Sequence, residues 1–340
     1  VMQYAENREL RQKLYYAFQT RASELGEGKF DNAPLIKQIL QLKRTAAQLL
    51  GYPSHAHVSL VPKMAGDPKE VISFLEDLAE KALPHARQDF AQLCAFAQSR
   101  LELPDLEAWD IGYASEKLRH HHYDFSEQEV KQYFQENNVL TGMFKLAETL
   151  FGVCIRPDTT EVWDPSVRFF RIEDPRGNLV GQFYLDPYAR ETKRGGAWMD
   201  EAISRRRLRN ALQTPVAHMV CNFPQPVGGK PSLLTHDEVI TLFHEFGHAL
   251  HHLLSRIDQP GVSGVRGVEW DAVELPSQFM ENFCWEWDVV KGMTSHVDTG
   301  APLPRALFEK MLAARNFQSG MQMVRQIEFA LFDICLLYTS

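Results

Sequence analysis

Cysteine is scarce in this chain, and the few cysteines exclude two kinds of site. There are five, an odd number, and they stand far apart: Cys94, Cys154, Cys221, Cys284 and Cys335. No Cys-x-x-Cys pair occurs, so the sequence predicts neither a disulfide framework nor a cysteine-rich metal site. Isolated thiols are typical of proteins in a reducing compartment, and we therefore expect a cytoplasmic location.

Long apolar runs, signal-peptide features and an excess of positive charge are missing as well. No stretch reaches 18 consecutive apolar residues, and we expect no membrane partner. Asp and Glu (44) outnumber Lys and Arg (36), so the formal net charge is −8. An acidic, mixed-charge surface argues against a nucleic-acid partner. We also expect the chain to be a monomer.

Two conspicuous polar clusters are interpreted as structural. The densest basic cluster is Arg205-Arg206-Arg207 with Arg209, which we interpret as the solvated face of a helix. Its alternative role is to hold the anionic termini of a substrate. The run His120-His121-His122 is a poor candidate for a metal site, because adjacent side chains point in different directions on a helix or a strand.

What the chain does contain is one pentapeptide with clear metal chemistry, His244-Glu245-Phe246-Gly247-His248. On a helix, positions i and i+4 share a face, so His244 and His248 can point at one metal ion. Glu245 lies one step round the helix beside them. Two imidazole ligands and a carboxylate that accepts a proton from water are what a zinc peptidase requires.

The pentapeptide stands inside a predicted helix. Thr235 and Glu238 form a capping box at its start, and Asp237 adds negative charge in the first turn. Apolar residues then recur at helical spacing, which predicts a helix from His236 to about Leu254. The alternative interpretation is a core helix with two hydrogen-bonded histidines and no metal.

A catalytic zinc ion needs a third protein ligand, and the nearby acids lie downstream: Glu269, Asp271, Glu274 and Glu281. Glu274 opens a second helix-like segment, with Pro276 suited to its first turn. Glu281 is seven residues further on and shares the face of Glu274, so it can orient a ligand histidine. Spacing alone leaves both Glu269 and Glu274 open as the third ligand.

The region before this helix is rich in β-strand formers. Residues 167–172 and 179–185 predict a hairpin around the turn at 174–178, and residues 216–223 predict a third strand. We therefore expect a small antiparallel sheet inserted before the helix. The first 150 residues instead predict amphipathic helices over Asn7–Leu25, Ala33–Leu50, Pro68–Gln98 and Ser126–Glu136.

A glycine pair lies in this β-rich region, at Gly195-Gly196-Ala197. If it borders an edge strand, Gly196 and Ala197 can bind an extended peptide as an added strand. The alternative is that the glycines only form a loop.

Several segments resemble the thimet-type oligopeptidases. They are LLTHDEVITLFHEFGHALHH (233–252), VELPSQFMENF (273–283), EKLRHHHYDFSEQEVKQYF (116–134), FYLDPYARETKRGGAWM (183–199) and NFPQP (222–226). In that family the glutamate of the V-E-x-P-S-Q segment is the third zinc ligand, which corresponds here to Glu274. The resemblance also favours the edge-strand interpretation of the glycine pair.

The resemblance implies a mainly α fold, with a helical zincin-type catalytic core and a small sheet before the zinc helix. It implies a channel wall at 1–150, a catalytic core at 151–333 and one Zn²⁺ per chain. We expect residues 334–340 to be foreign and the chain to be the middle portion of a longer peptidase. In the family, tyrosine and histidine groups near the C-terminus assist the reaction, and their absence here leads us to expect an incomplete enzyme.

The expected function is that of a zinc metalloendopeptidase that hydrolyses short peptides, with Glu245 as general base. One alternative is a non-catalytic module stabilised by zinc, which has no need of Glu245. The other is a zinc aminopeptidase, which uses the same motif but also needs an acidic anchor for the free amine.

Overall fold

The computed structural model describes residues 1–124 and 126–339. The chain forms two compact units: the first comprises Val1–Phe125 and Ala313–Ser340, and the second comprises Ser126–Leu312. The expected roles of residues 1–150 and 151–333 concern a whole enzyme and stay predictions. Ser340, the last residue of the segment expected to be foreign, lies outside the described residues.

Helices dominate the described chain. In chain order they are α1 (Arg8–Gln19), α2 (Ala33–Leu49), α3 (His55–Leu60), α4 (Pro68–Arg100), α5 (Ile111–Tyr123), α6 (Glu127–Lys131), α7 (Glu136–Phe151), α8 (His236–Leu253), α9 (Leu275–Glu281), α10 (Trp287–Met293), α11 (Arg305–Ala314) and α12 (Ser319–Thr339). The predictions for α2 and α4 agree with the structure to within two residues, whereas α1 is shorter than predicted.

The predicted helix Ser126–Glu136 is wrong in its second half. α6 ends at Lys131, and α7 begins only at Glu136. Between them, the carbonyls of Gln132 and Tyr133 accept hydrogen bonds from the backbone of residues 295–297. These tertiary bonds satisfy peptide groups that a continuous helix would have paired internally, so they override local helix propensity.

The first unit is held together by close packing between helices. α12 lies along α4, and a Cβ at Gly320 would be 2.7 Å from the backbone of Ala86. A buried ion pair between Arg11 and Asp110, at 2.7 Å, fixes α1 to the start of α5. α12 continues to Thr339 and so includes most of the segment that was expected to be foreign.

The second unit contains a five-stranded sheet with the order β1-β2-β3-β7-β4. Its strands are β1 (Cys154–Asp158), β2 (Arg168–Glu173), β3 (Leu179–Tyr188), β4 (Trp198–Ile203) and β7 (Val216–Phe223), and a separate short ribbon pairs β5 (Arg206–Arg207) with β6 (Leu212–Gln213). The predicted hairpin is confirmed as the antiparallel pair of β2 and β3. A small sheet directly before α8 in the sequence is therefore present as expected.

The sheet is mixed, and the expectation of an antiparallel sheet is wrong for one pair. β7 runs parallel to β3, with Phe183 opposite Ala217, and antiparallel to β4, with Met199 opposite Met219. The chain forms the edge strand β4 first and then returns to insert β7 between β4 and β3. Strand composition predicts that a strand forms but carries no information about such an insertion.

One face of the sheet packs against α7 and α8 through aromatic side chains. Phe183 lies with its ring centroid 5.9 Å from that of Phe246 on α8, and Phe144 on α7 contacts both rings. Phe183 and Phe246 are fully buried. Burial of one such side chain stabilises a fold by about 1.5–3 kcal/mol, so α8 is held firmly against the sheet.

Candidate metal centre

α8 begins at the predicted capping box, and both of its hydrogen bonds are formed. The Glu238 amide donates to Thr235 Oγ1 at 3.2 Å, and the Thr235 amide donates to Glu238 Oε2 at 2.7 Å. Next to this cap, His236 Nε2 donates to the carbonyl of Cys284 at 2.9 Å. The start of α8 is thereby fixed to the segment that follows α9, a contact that the sequence did not predict.

α8 and α9 pack directly on each other at a glycine. A Cβ at Gly247 would lie 2.5 Å from the carbonyl oxygen of Pro276 and 2.6 Å from Cα of Ser277. Any side chain at position 247 would therefore separate the two helices. The helices run antiparallel, because Gly247 meets Pro276 while His236 meets Cys284. This alignment brings the acids of α9 to the histidines of α8.

The two histidines and Glu274 converge on one point. Glu274 Oε2 lies 3.1 Å from His244 Nε2 and 3.0 Å from His248 Nε2. One ligand atom from each of the three residues lies within 4.8 Å of the others. Bonds of about 2.0–2.1 Å in tetrahedral geometry separate neighbouring ligand atoms by about 3.3 Å. The three side chains therefore fit around a single metal ion.

Hydrogen bonds orient two of these three groups. Glu281 Oε1 lies 2.6 Å from His244 Nδ1, so Nδ1–H donates to the carboxylate and Nε2 presents its lone pair to the site. Ser277 Oγ donates to Glu274 Oε2 at 2.9 Å. Burial lowers the pKa of His248, which keeps its imidazole neutral and available to a metal at neutral pH.

The charge on Glu274 is also favoured. Partial burial would raise the pKa of Glu274, but the Ser277 hydrogen bond and the neighbouring imidazoles outweigh it and hold that pKa below its ordinary value. An ionised carboxylate is the form that binds a metal. The ligand set is thus held in the protonation states that metal binding requires.

Glu245 lies beside this cluster in a different environment. It is buried, with 6 % of its surface exposed. Burial raises its pKa, assisted by the charge of Glu274, while His244 and a hydrogen bond from the Met199 amide oppose the rise. A carboxylate with a raised pKa accepts and returns protons more readily near neutral pH.

The glycine pair lies directly before the edge strand β4, as the sequence suggested. Gly196 has a positive φ of 93°, a conformation that a side chain would strain. Its carbonyl accepts a hydrogen bond from Asn222 Nδ2 at 2.6 Å, which ties the loop to β7. The binding of substrate by Gly196 and Ala197 stays a prediction.

Other predicted candidates lie elsewhere. Glu269 is exposed and is not part of any metal-binding group found among the described residues. The same search found no such group at the histidine run 120–122, which lies on α5 in the first unit. The expected helix face at the arginine cluster is wrong: Arg206 and Arg207 form β5, and Arg205 and Arg207 both bind Asp258.

A cavity of about 630 Å³ lies on another side of α8. Its lining includes Gly247, Leu250, His251, Pro276 and Phe279, and it includes neither the two ligand histidines nor Glu245. This cavity is lined mainly by apolar residues, and the reactive groups lie outside it.

Comparison with known proteins decides the family. The sequence profile of Peptidase family M3 matches residues 1–340. The chain belongs to peptidase family M3. The resemblance to thimet-type oligopeptidases and the mainly helical fold are thereby confirmed. In the described part of this M3 chain, no helix is long and apolar enough to cross a membrane.

Curated relatives of the M3 chain include two bacterial oligopeptidases. It is 51 % identical to oligopeptidase A of Salmonella typhimurium over 340 residues, and 50 % identical to oligopeptidase A of Escherichia coli; each match covers 99 % of this chain and 50 % of the relative. It is 33 % identical to dipeptidyl carboxypeptidase of Escherichia coli, over 96 % of this chain and 48 % of the relative. The chain thus spans about half the length of the curated relatives it matches.

Proposed function

We propose that the protein is a zinc metalloendopeptidase that hydrolyses internal bonds of short peptides, with one zinc ion per chain. The observation that carries this proposal is the convergence of His244, His248 and Glu274 beside the buried carboxylate of Glu245. Membership of family M3 and the name oligopeptidase A among the relatives support a peptidase of short substrates. The activity is proposed for the protein as a whole.

The donor set favours zinc in a catalytic role. Two imidazole nitrogens and one carboxylate oxygen leave a fourth position open in a tetrahedral site, whereas Ca²⁺ and Mg²⁺ prefer oxygen ligands throughout. A structural zinc site uses four protein ligands and is often rich in cysteine, and the group found among the described residues contains no cysteine. When bound, zinc polarises the scissile carbonyl and lowers the pKa of a water molecule at the open position.

Glu245 is the general base in this proposal. Its carboxylate accepts a proton from the attacking water and then donates that proton to the departing amine. The raised pKa of Glu245 suits both steps, because a weakly basic carboxylate would not hold the proton between them. Glu281 keeps the His244 ring in one orientation throughout, through its contact with Nδ1.

The substrate is proposed to bind in an extended conformation beside β4. Among the described residues this strand has one neighbour in the sheet, β7, so an added strand would pair along its other edge. The Met199 amide of β4 contacts Glu245, so a peptide bound along this strand would lie close to the base. Gly196 and Ala197, at the start of the strand, are the proposed peptide-binding positions.

Substitution of the base tests the mechanism. We expect Glu245→Gln to lower kcat by about 10²–10⁴-fold while one zinc ion per chain is retained. The matched control is Glu269→Gln, an exposed carboxylate outside the ligand group, which should keep both activity and zinc. Unchanged hydrolysis by Glu245→Gln would exclude Glu245 as the base, and loss of zinc by Glu269→Gln would point to the other candidate ligand.

A doubly blocked substrate separates endopeptidase from exopeptidase activity. A peptide acetylated at its N-terminus and amidated at its C-terminus offers no free end to an aminopeptidase or to a dipeptidyl carboxypeptidase. We expect cleavage at an internal bond, with fragments identified by mass spectrometry. Cleavage only of unblocked peptides would contradict the endopeptidase assignment, and zinc binding without any cleavage would favour the structural module.

We further propose that the protein acts as a cytoplasmic monomer. The cysteines of the described chain are all free, which supports a reducing compartment. Sedimentation velocity of the purified protein measures the oligomeric state, and fractionation of the source cells measures the location.

A further inference from the structure

β4 and α8 are joined by hydrogen bonds at two points. Near the metal centre, the Met199 amide donates to the carboxylate of Glu245. At the other end of the strand, His252 Nε2 donates to the carbonyl of Ile203 at 3.0 Å. The edge strand is therefore fixed to the helix that carries the candidate ligands, both beside the base and about two turns beyond it.

His252 is fully enclosed at this second point. None of its surface is exposed, and its Nδ1 lies 3.8 Å from Glu201 Oε2 of the same strand. A Cβ at Gly264 would be 2.4 Å from His252 Nδ1, so a glycine backbone closes over the ring. The positive φ of Gly264, 64°, suits the loop that makes this approach.

Glu201 extends the contact to the surface. Arg266 Nη2 lies 2.7 Å from Glu201 Oε1, and Ser204 Oγ donates to the same oxygen at 2.7 Å. Burial would raise the pKa of Glu201, but these bonds and the nearby His252 lower it, so the carboxylate is charged. The strand is thereby held through both its backbone and one of its side chains.

The sheet alone holds the edge strand β4 weakly, so the contacts with His252 matter for its position. In the part of the chain that the structure describes, β4 has only β7 as a sheet neighbour, and the register between them shifts between Glu201 and Ile203. A β-bulge interrupts the ladder and bends the strand. Hydrogen bonds to the sheet alone therefore fix the far end of β4 less firmly than they fix a central strand.

We propose that His252 is a positioning residue that fixes the distance between the peptide-binding edge of β4 and the metal centre. The inference rests on the proposed function, because it assumes that a substrate peptide pairs with β4. The His252 side chain acts through Ile203 and Glu201. Displacement of a reacting bond by 1 Å costs an enzyme about 100-fold in rate, so a small shift of the strand has a large effect.

A pair of substitutions at His252 separates positioning from packing. His252→Leu fills the site but donates no hydrogen bond, whereas His252→Gln presents a donor nitrogen at a similar distance. We expect His252→Leu to lower kcat/KM at least tenfold for an extended peptide substrate, with a raised KM and unchanged zinc affinity. His252→Gln should restore kcat/KM to within about threefold of the wild type.

Two further variants control for loss of stability. Leu253→Ala removes a fully buried side chain from the same turn of α8, but its contact is with Gly181 of β3. We expect it to lower stability while kcat/KM stays within about twofold. Arg266→Gln changes an exposed partner of Glu201, so it keeps the fold even if His252→Leu does not, and should still raise KM measurably.

Amide hydrogen exchange provides a readout that does not depend on activity. We expect exchange over residues 199–203 to be at least tenfold faster in His252→Leu and Arg266→Gln than in the wild type, with α10 unchanged. The inference would be overturned if both variants showed the exchange rate and the KM of the wild type. It would also be overturned if His252→Leu and His252→Gln lost the same amount of kcat/KM. A wild-type enzyme that cleaves no peptide would instead contradict the proposed function, and the exchange measurement would still test the strand contact.

Discussion

Gly247 of α8 and Pro276 of α9 approach so closely that a single Cβ on Gly247 would lie 2.5 Å from the Pro276 carbonyl oxygen. This contact sits between the histidine pair and Glu274. The fourth position of the pentapeptide, Gly247, therefore has a structural requirement of its own. A helix crossing at glycine is what lets a carboxylate from a second helix reach both imidazoles.

Substitution of this glycine should disturb the metal centre without touching a ligand. We expect Gly247→Ala to push α9 away, weaken zinc binding at least tenfold and destabilise the protein by about 1–3 kcal/mol. Competition with a chromophoric chelator measures the affinity. Gly292→Ala is the control, because a Cβ at that helical position meets nothing within 4 Å and should be neutral or stabilising. Equal zinc affinity in both variants would show that the helices accommodate the extra atom.

The contact between Glu281 and His244 predicts a second effect on affinity. Glu281→Ala removes the acceptor that fixes the imidazole, and we expect zinc to bind about 10–100-fold more weakly. Glu281→Gln keeps an acceptor oxygen and should lose less. Gln278→Ala, at an exposed position of α9, serves as the control. The same chelator competition decides the order, and an Ala variant with wild-type affinity would remove Glu281 from the site.

Removal of the metal should lower the Tm only of those variants that still bind zinc. The change in Tm therefore distinguishes a metal ligand from the general base. A ligand present at 100 times its Kd stabilises the folded state by about 2.7 kcal/mol. We expect dialysis against a chelator to lower the Tm of the wild type and of Glu245→Gln by the same amount. Glu274→Ala should show little change in Tm on chelation. A loss of zinc-dependent stabilisation in Glu245→Gln would mean that Glu245 is itself a ligand.

Asp186 predicts a dependence of stability on acid pH that is independent of the metal. Burial opposes its ionisation, but hydrogen bonds from Arg190, Lys193 and Trp163 outweigh this and lower its pKa to about 2. Because the folded pKa lies below the ordinary value of 3.8, the stabilisation is complete above about pH 4. It is lost as the pH falls towards 2.

The corresponding variant is Asp186→Asn, which leaves the charge of Lys193 without its carboxylate partner and Arg190 with Asp164 alone. We expect a loss of about 2–3 kcal/mol in the free energy of unfolding at pH 7. The variant should also lose less stability than the wild type between pH 4 and pH 2. Urea unfolding at several pH values measures both, and parallel pH profiles would show that Asp186 does not titrate as proposed.

The local part of the site was predictable from sequence, and the reason is its short range. The capping box, the helix and the shared face of His244 and His248 all follow from spacings of three or four residues. The match of Glu281 to the face of Glu274 follows from a spacing of seven. Each of these relations is set within one helix, where the chain geometry is fixed.

The contacts between elements were not predictable in the same way. Spacing gave no reason to prefer Glu274 over Glu269 as the third metal ligand, because nothing in either segment reveals where α9 crosses α8. The glycine that permits the crossing looked like an ordinary member of the pentapeptide. His236 and His252 lie on the same helix as the ligands, yet their partners, Cys284 and Ile203, are backbone carbonyls without any side-chain signature.

The strand order shows the same limit on a larger scale. Residues 216–223 are recognisable as a strand, but their insertion between β3 and β4 depends on a return of the chain that no local pattern encodes. The break between α6 and α7 depends on backbone bonds to residues 295–297, which are more than 150 residues away.

All three candidate ligands lie within one continuous stretch, residues 244–274, and the antiparallel contact of α8 and α9 brings its two ends together. A metal ion bound to them closes a loop, and closure of a loop becomes costlier in entropy as the loop lengthens or loosens. The connecting segment, residues 254–274, is thus a determinant of metal affinity although it supplies only its last residue as a ligand. Stiffening of that segment should therefore strengthen metal binding, and proteolytic nicking within it should weaken metal binding.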